Sequence, residues 1–290
     1  MMGPLTSPVY YVLEVLKWLV LARVLVTWLP MFGLYIGTQN PLIRILFQIT
    51  DPILIPLRRF SQIGSLDLSP LIAFFLIGLV QNFLLGRPLA QTLAFAVALL
   101  VAFSVHECAH AWAALQMGDS TAYDQGRLTL DPRKHLDVLG AIMVLAVGFG
   151  WAKPVPVNPY RLRNGPKAGM ALVALSGPLS NLAMAFAAAI PIKLGLISPM
   201  FYSPYIPDPY QIVLTFVFLN VVLAIFNALP IAPLDGFSIL YGVLPYPASE
   251  SFRRLEPFGP IILLMLVFLG GGLFSTLVMT PARLIMGLIT

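Results

Sequence analysis

Apolar runs long enough to cross a lipid bilayer recur along this chain, and nothing else in the sequence constrains its fold as strongly. They lie near residues 9–29, 69–85, 89–117, 168–192, 210–231 and 258–280. A hydrocarbon core takes about 20 residues of helix to cross, and backbone at that depth must close its own hydrogen bonds. The expected fold is an all-α polytopic membrane protein with about six transmembrane helices. Composition agrees: 10% of residues are charged, against about 25% in soluble domains. No basic segment precedes the first run and no obvious small-residue cleavage site follows it, so it is expected to stay as a helix. The single cysteine, Cys108, excludes an intrachain disulfide and a cysteine-built zinc cage. The formal charge of +5 fits cytoplasmic Lys and Arg in a membrane protein, with no nucleic-acid partner expected.

A seventh apolar segment, 136–151, is short, contains glycine and runs into "AKPVPVNP". If it re-enters and leaves on one side, Arg44, Arg58, Arg59, Arg127, Arg133, Lys134, Lys153, Arg161, Arg163, Lys167, Arg253 and Arg254 collect on one face, against Arg87, Lys193 and Arg283 on the other. If it crosses, the asymmetry vanishes. Short loops rich in Lys and Arg stay cytoplasmic, so the re-entrant arrangement is expected. It puts both termini outside and loops 30–68, 117–167 and 241–257 in the cytoplasm.

Within the third run stands "VHECAHAW", with His106, Glu107 and His110. On a helix each residue advances about 100°, so the two histidines share a face one turn apart. This HExxH pattern suits zinc: two neutral imidazoles bind the metal and the glutamate works on its water. Core histidines bonded to backbone or water are the plainer reading, but ionisable groups inside an apolar span are costly and mostly functional. Cys108 points away from this face. A catalytic site needs a third protein ligand. Soluble spacings fail, since position 116 is Gln116 and no glutamate follows Glu107 before Glu250. Asp235 in "FNALPIAPLDGF" is the leading candidate, because Pro230 and Pro233 break the helix at membrane depth; it could instead cap a short helix. His135 in "DPRKHLD" is the rival. At a rise of 1.5 Å per residue, His110 lies about 12 Å before Gly118, nearer the cytoplasmic end. The re-entrant topology brings Asp235 to the same end.

"HECAH", "GWAKPVPVNP", "SGPLSN" and "NALPIAPLDG" together resemble the site-2 protease family of intramembrane zinc metalloproteases, over about residues 89 to 245. The resemblance implies His106, His110 and Asp235 as ligands of one Zn2+ per chain and Glu107 as general base. It also places Asn181 and Asn227 facing the site, as oxyanion donors or as helix–helix hydrogen-bond partners. Residues 48–77, with "ARVLVTWLP" at the end of the first span, resemble the YggT family of small bacterial membrane proteins. The expected division is a YggT-like domain, 1–86, and a protease domain, 87–290. Segment 41–60 mixes apolar residues with Arg44, Arg58 and Arg59, as an interfacial segment would, and could serve as a partner platform or a membrane anchor.

These readings converge on zinc-dependent proteolysis of transmembrane proteins in a prokaryotic cell membrane. Glu107 would take a proton from water acidified by zinc and return it to the leaving amine. Lys153, Pro154, Val155 and Pro156 lie in a stretch that cannot be helical, and they could form an edge strand holding unwound substrate or a simple covering loop. Two other classes remain open: a metal-ion transporter, and a non-catalytic scaffold acting through the YggT-like part with a membrane partner.

Overall fold

In the computed structural model, residues 8–28, 39–63, 66–67, 69–84, 89–135, 137, 151–203, 205–269 and 271–290 are described. The chain forms two compact units: residues 1–87 with 137–151, and residues 88–136 with 152–290. The expected re-entrant segment, at 136 and 138–150, lies outside the described residues.

The first unit contains helices α1 (Pro8–Trp28), α2 (Pro41–Ser61) and α3 (Ser69–Leu84). Val20, Leu54, Ala73 and Ile77 form its core. The apolar pattern of α2 is one-sided: Ile43 and Leu54 are buried, while Leu42, Ile45, Ile49 and Ile55 face outward. A short hairpin follows, pairing Gln62 with Asp67 and Ile63 with Leu66. Helix α1 is 21 residues long but carries Glu14, Lys17 and Arg23, charges that an apolar helix must have compensated. Lys17 pairs with Glu14 of the same helix at 3.9 Å, and the neighbouring helices compensate Arg23 and Glu14. Arg23 Nη1 donates to Thr50 Oγ1 at 2.9 Å and pairs with Asp51 at 2.9 Å, with its guanidinium 3.7 Å over the Phe47 ring. Gln81 Nε2 donates to Glu14 Oε2 at 2.8 Å.

The second unit is built on α4 (Leu89–Gln116), α5 (Gly165–Lys193), α6 (Pro209–Asn227) and α7 (Asp235–Val243), and ends in α8 (Thr280–Ile289). Among the described residues, four stretches are long and apolar enough to cross a membrane: Leu93–Gln116, Gly165–Lys193, Pro209–Asn227 and Gly271–Ile289. The last begins beside residue 270, which lies outside the described residues, and overlaps the expected 258–280. The helical path there is interrupted by π-helical turns at Met265–Leu269 and Ser275–Met279. Each inserts an extra residue per turn and rotates the side chains that follow. Helix α5 buries Gly169, Ala171, Ala174, Gly177, Ala185 and Ala189. Without a strong hydrophobic drive between helices in lipid, small residues of this kind let backbones approach closely. Ala185 and Ala189 pack with Val217 and Val221 of α6 and with Ala282 and Ile289 of α8. The chain is an all-α polytopic membrane protein.

Candidate metal centre

The centre is assembled by α4, α5 and the break between α6 and α7. Helix α4 carries His106, Glu107 and His110, all buried. Helix α6 ends at Asn227, and α7 begins at Asp235, which therefore sits at a helix start. Gly236 makes that approach possible: a Cβ there would lie 2.2 Å from the Ala228 carbonyl oxygen and 2.3 Å from that of Leu229. The "DG" pair thus reflects the tightness of the turn that delivers the carboxylate.

The three side chains converge. His106 Nε2 and His110 Nε2 are 3.1 Å apart. Asp235 Oδ2 lies 3.2 Å from His106 Nε2, and Asp235 Oδ1 lies 3.3 Å from His110 Nε2. A tetrahedral zinc ion with ligands at about 2.0–2.1 Å sets neighbouring ligand atoms about 3.3 Å apart. The observed spacings, one to each carboxylate oxygen, are of that size, and the three residues' ligand atoms lie within 4.8 Å of one another.

The far side of each ring fixes its tautomer. His110 Nδ1 faces the Val173 carbonyl at 2.8 Å, which can only accept, so Nδ1 carries the hydrogen. His106 Nδ1 faces Asn181 Oδ1. Asn181 Nδ2 in turn donates to Asn220 Oδ1 at 2.7 Å, and Asn220 Nδ2 donates to the Phe216 carbonyl at 2.9 Å. Because this chain ends on a backbone acceptor, both amide orientations are determined, and His106 Nδ1 must donate. Each neutral imidazole then presents an Nε2 lone pair to the other and to Asp235. Asp235 Oδ2 is buried and receives no hydrogen bond. Three converging lone-pair donors suit a shared cation, so the residues present fit a zinc ion.

Gly177 of α5 closes the space beside the rings. A Cβ there would meet His110 Cε1 and Nε2 at 2.5 Å and His106 Cε1 at 2.6 Å. The glycine of "SGPLSN" is therefore the position where α5 touches both imidazoles. Glu107 is buried next to them, within electrostatic range of His106, His110 and Asp235.

The remaining expected site residues divide. Asn181 serves as a helix–helix partner and as support for His106; its amide oxygen and an N–H are both engaged. Asn227 donates to the Leu223 carbonyl of its own helix at 3.0 Å. His135 is not in the cluster of possible metal ligands. Its Nε2 lies 2.7 Å from the Thr129 carbonyl. Cys108 is also outside the cluster. Lys153 uses both backbone groups internally: its N–H donates to the His135 carbonyl at 2.7 Å, and its carbonyl accepts from Arg127 Nη2. Asn158 N donates to Asp119 Oδ2 at 2.6 Å. Asn220, Gly177 and Ser176, whose hydroxyl donates to the Val173 carbonyl at 2.6 Å, were not anticipated. Asn220 had a signal, an amide in the middle of an apolar run; Ser176 and Gly177 had none beyond the motif around them.

Comparison with known proteins agrees with this geometry. The CCB3/YggT family model matches residues 2–87. Over 183 residues the chain is 39% identical to the Bacillus subtilis (strain 168) protein named "Putative zinc metalloprotease YwhC", a match covering 62% of this chain and 82% of that protein. It is 30% identical over 192 residues to "Putative zinc metalloprotease Rip2" of Mycobacterium tuberculosis (strain ATCC 25618 / H37Rv), covering 63% of this chain and 70% of that one. No solved structure matches the chain significantly. Given the extent of YwhC that it covers, the chain belongs to the family of site-2-protease-type zinc metalloproteases represented by YwhC and Rip2.

Proposed function

We propose that His106, His110 and Asp235 hold one zinc ion, with Glu107 as general base, in an endopeptidase that cuts membrane proteins within or near their transmembrane helices. The observation that carries this reading is the set of three ligand-atom spacings, 3.1, 3.2 and 3.3 Å, on atoms whose lone pairs are freed by the bonds behind them. When bound, zinc supplies Lewis acidity, polarising a carbonyl and lowering the pKa of water to about 7. The protein's own groups do the rest. Val173 and Asn181 orient the imidazoles, and Asp235 offsets the metal's charge. Glu107 takes a proton from water and delivers it to the leaving amine. Burial of the site keeps bulk water from competing for these groups. The test is metal removal from the full chain in proteoliposomes. Cleavage of a membrane substrate stops on chelation and returns with about one equivalent of zinc; cleavage that ignores chelation contradicts the reading.

The site lies nearer the cytoplasmic side, with both termini outside, and this follows from the distribution of Lys and Arg. Tyr160 and Tyr202, exposed at 87% and 86%, lie at opposite ends of α5 and make a test. In a Cys108→Ser background, a membrane-impermeant maleimide labels Tyr202→Cys in intact cells, and Tyr160→Cys only after permeabilisation. The reverse pattern overturns the topology.

Residues 1–86 form the YggT-like domain of this proposal, serving as platform or anchor, and 87–290 the protease domain. Substrate unwound from its helix pairs with the extended stretch at 154–157. Lys153 is already engaged and prolines lack an N–H, so Val155 and Val157 would supply the donors of any added strand.

A further inference from the structure

His135 is the third histidine of the chain and is fully buried, yet the metal cluster does not use it. Its Nε2 points at the Thr129 carbonyl at 2.7 Å and so carries the hydrogen. In its neutral form the ring then offers Nδ1 as an acceptor, and Nδ1 is buried with no partner. Buried polar atoms are nearly always paired, through ordered water where protein atoms do not reach.

The ring's location gives this atom a role. Thr129 also reaches the Cys108 thiol through its backbone, so it ties His135 to the turn of α4 that carries Glu107. The helical turn Pro132–His135 packs on α4, and the His135 ring lies within electrostatic range of the Glu107 carboxylate. No hydrogen bond joins the two side chains directly, and water can bridge polar groups that do not touch.

We infer that His135 is a positioning residue for Glu107: its Nδ1 accepts a hydrogen bond from a water that donates its other hydrogen to the Glu107 carboxylate, holding that carboxylate toward the metal ligands. The inference rests on the proposed role of Glu107. It assigns His135 neither to the metal nor to the substrate. The same residue's backbone carbonyl holds the Lys153 N–H, so one position links the base to the start of the stretch proposed to receive substrate.

Two conservative substitutions separate this role from a structural one. His135→Gln keeps a donor for the Thr129 carbonyl and loses the acceptor at Nδ1. His135→Asn keeps an acceptor near Nδ1 and loses the anchor. Both should bind zinc as wild type does. The Gln variant should lose about 10- to 100-fold in kcat with KM little changed, and the Asn variant should stay within a few-fold of wild type. Wild-type kcat in the Gln variant overturns the inference. So does loss of zinc from both, which would return His135 to the ligand set.

A second measurement needs no turnover. With three histidines, 15N-histidine NMR of the zinc-loaded full chain resolves His135 by its absence in His135→Gln. Its Nδ1 resonance should report a hydrogen-bonded acceptor and should move in Glu107→Gln. An unmoved resonance overturns the inference even if the wild type cleaves every substrate offered. A moved resonance in a chain that cleaves nothing keeps the inference and removes the proteolytic reading.

Discussion

Glu107→Gln leaves zinc in place and lowers cleavage by about 10²- to 10⁴-fold, the range that a positioned general base contributes. Glutamine matches glutamate in shape, so α4 and the imidazoles beside it keep their packing. It cannot take up a proton, so water is not activated and the leaving amine is not protonated. The metal ligands are His106, His110 and Asp235 in the proposed arrangement, and none of them changes. Zinc content by atomic absorption should therefore equal that of wild type. The measurement pairs that content with cleavage of single-span membrane proteins that accumulate in cells carrying the variant. Persistent cleavage would remove Glu107 from the role of base, while simultaneous loss of zinc would recast it as a ligand.

Asp235→Ala removes the metal instead. Loss of an outer-shell partner costs about 10- to 100-fold in metal affinity; loss of one of three direct ligands should exceed that range. The variant also leaves His106 and His110 with their lone pairs 3.1 Å apart and no carboxylate to share a cation. Purified Asp235→Ala should carry far less than one zinc per chain after dialysis against a weak chelator, and it should be inactive even when zinc is added back. Helix α7 should persist, because Gly236 still permits its close approach to the Ala228 and Leu229 carbonyls. Full zinc retention would mean that another group completes the site.

The parts of this site that were legible in the sequence are those that depend on a single helix. His106 and His110 share a face, with Glu107 beside it, because of the helical period, wherever α4 packs. Asp235 was reachable by elimination, since few acidic residues lie in apolar surroundings and the prolines before it force a break. The bonds behind the rings were not legible. They depend on how α5 and α6 are rotated against α4, which puts the Val173 carbonyl under His110 and joins Asn181 to Asn220. Spacing along one helix carries no record of that rotation.

The membrane spans divide the same way. Long runs uncharged except at their ends, such as α5 and α6, were plain from hydropathy. In α1 the charges at Glu14 and Arg23 are compensated by residues of α2 and α3 far away in sequence. Lys153 looked available for a substrate strand because the sequence shows its prolines but not the bonds that occupy its backbone.

The most direct test of zinc-dependent proteolysis inside the membrane is mass-spectrometric mapping of the cut. A single-span substrate that accumulates in Glu107→Gln cells is reconstituted with the full wild-type chain, either zinc-stripped or zinc-reloaded. The account predicts new termini within or at the edge of the substrate's apolar segment, toward its cytoplasmic end, only after zinc is restored. Termini confined to soluble loops, or the same fragments without zinc, would contradict it.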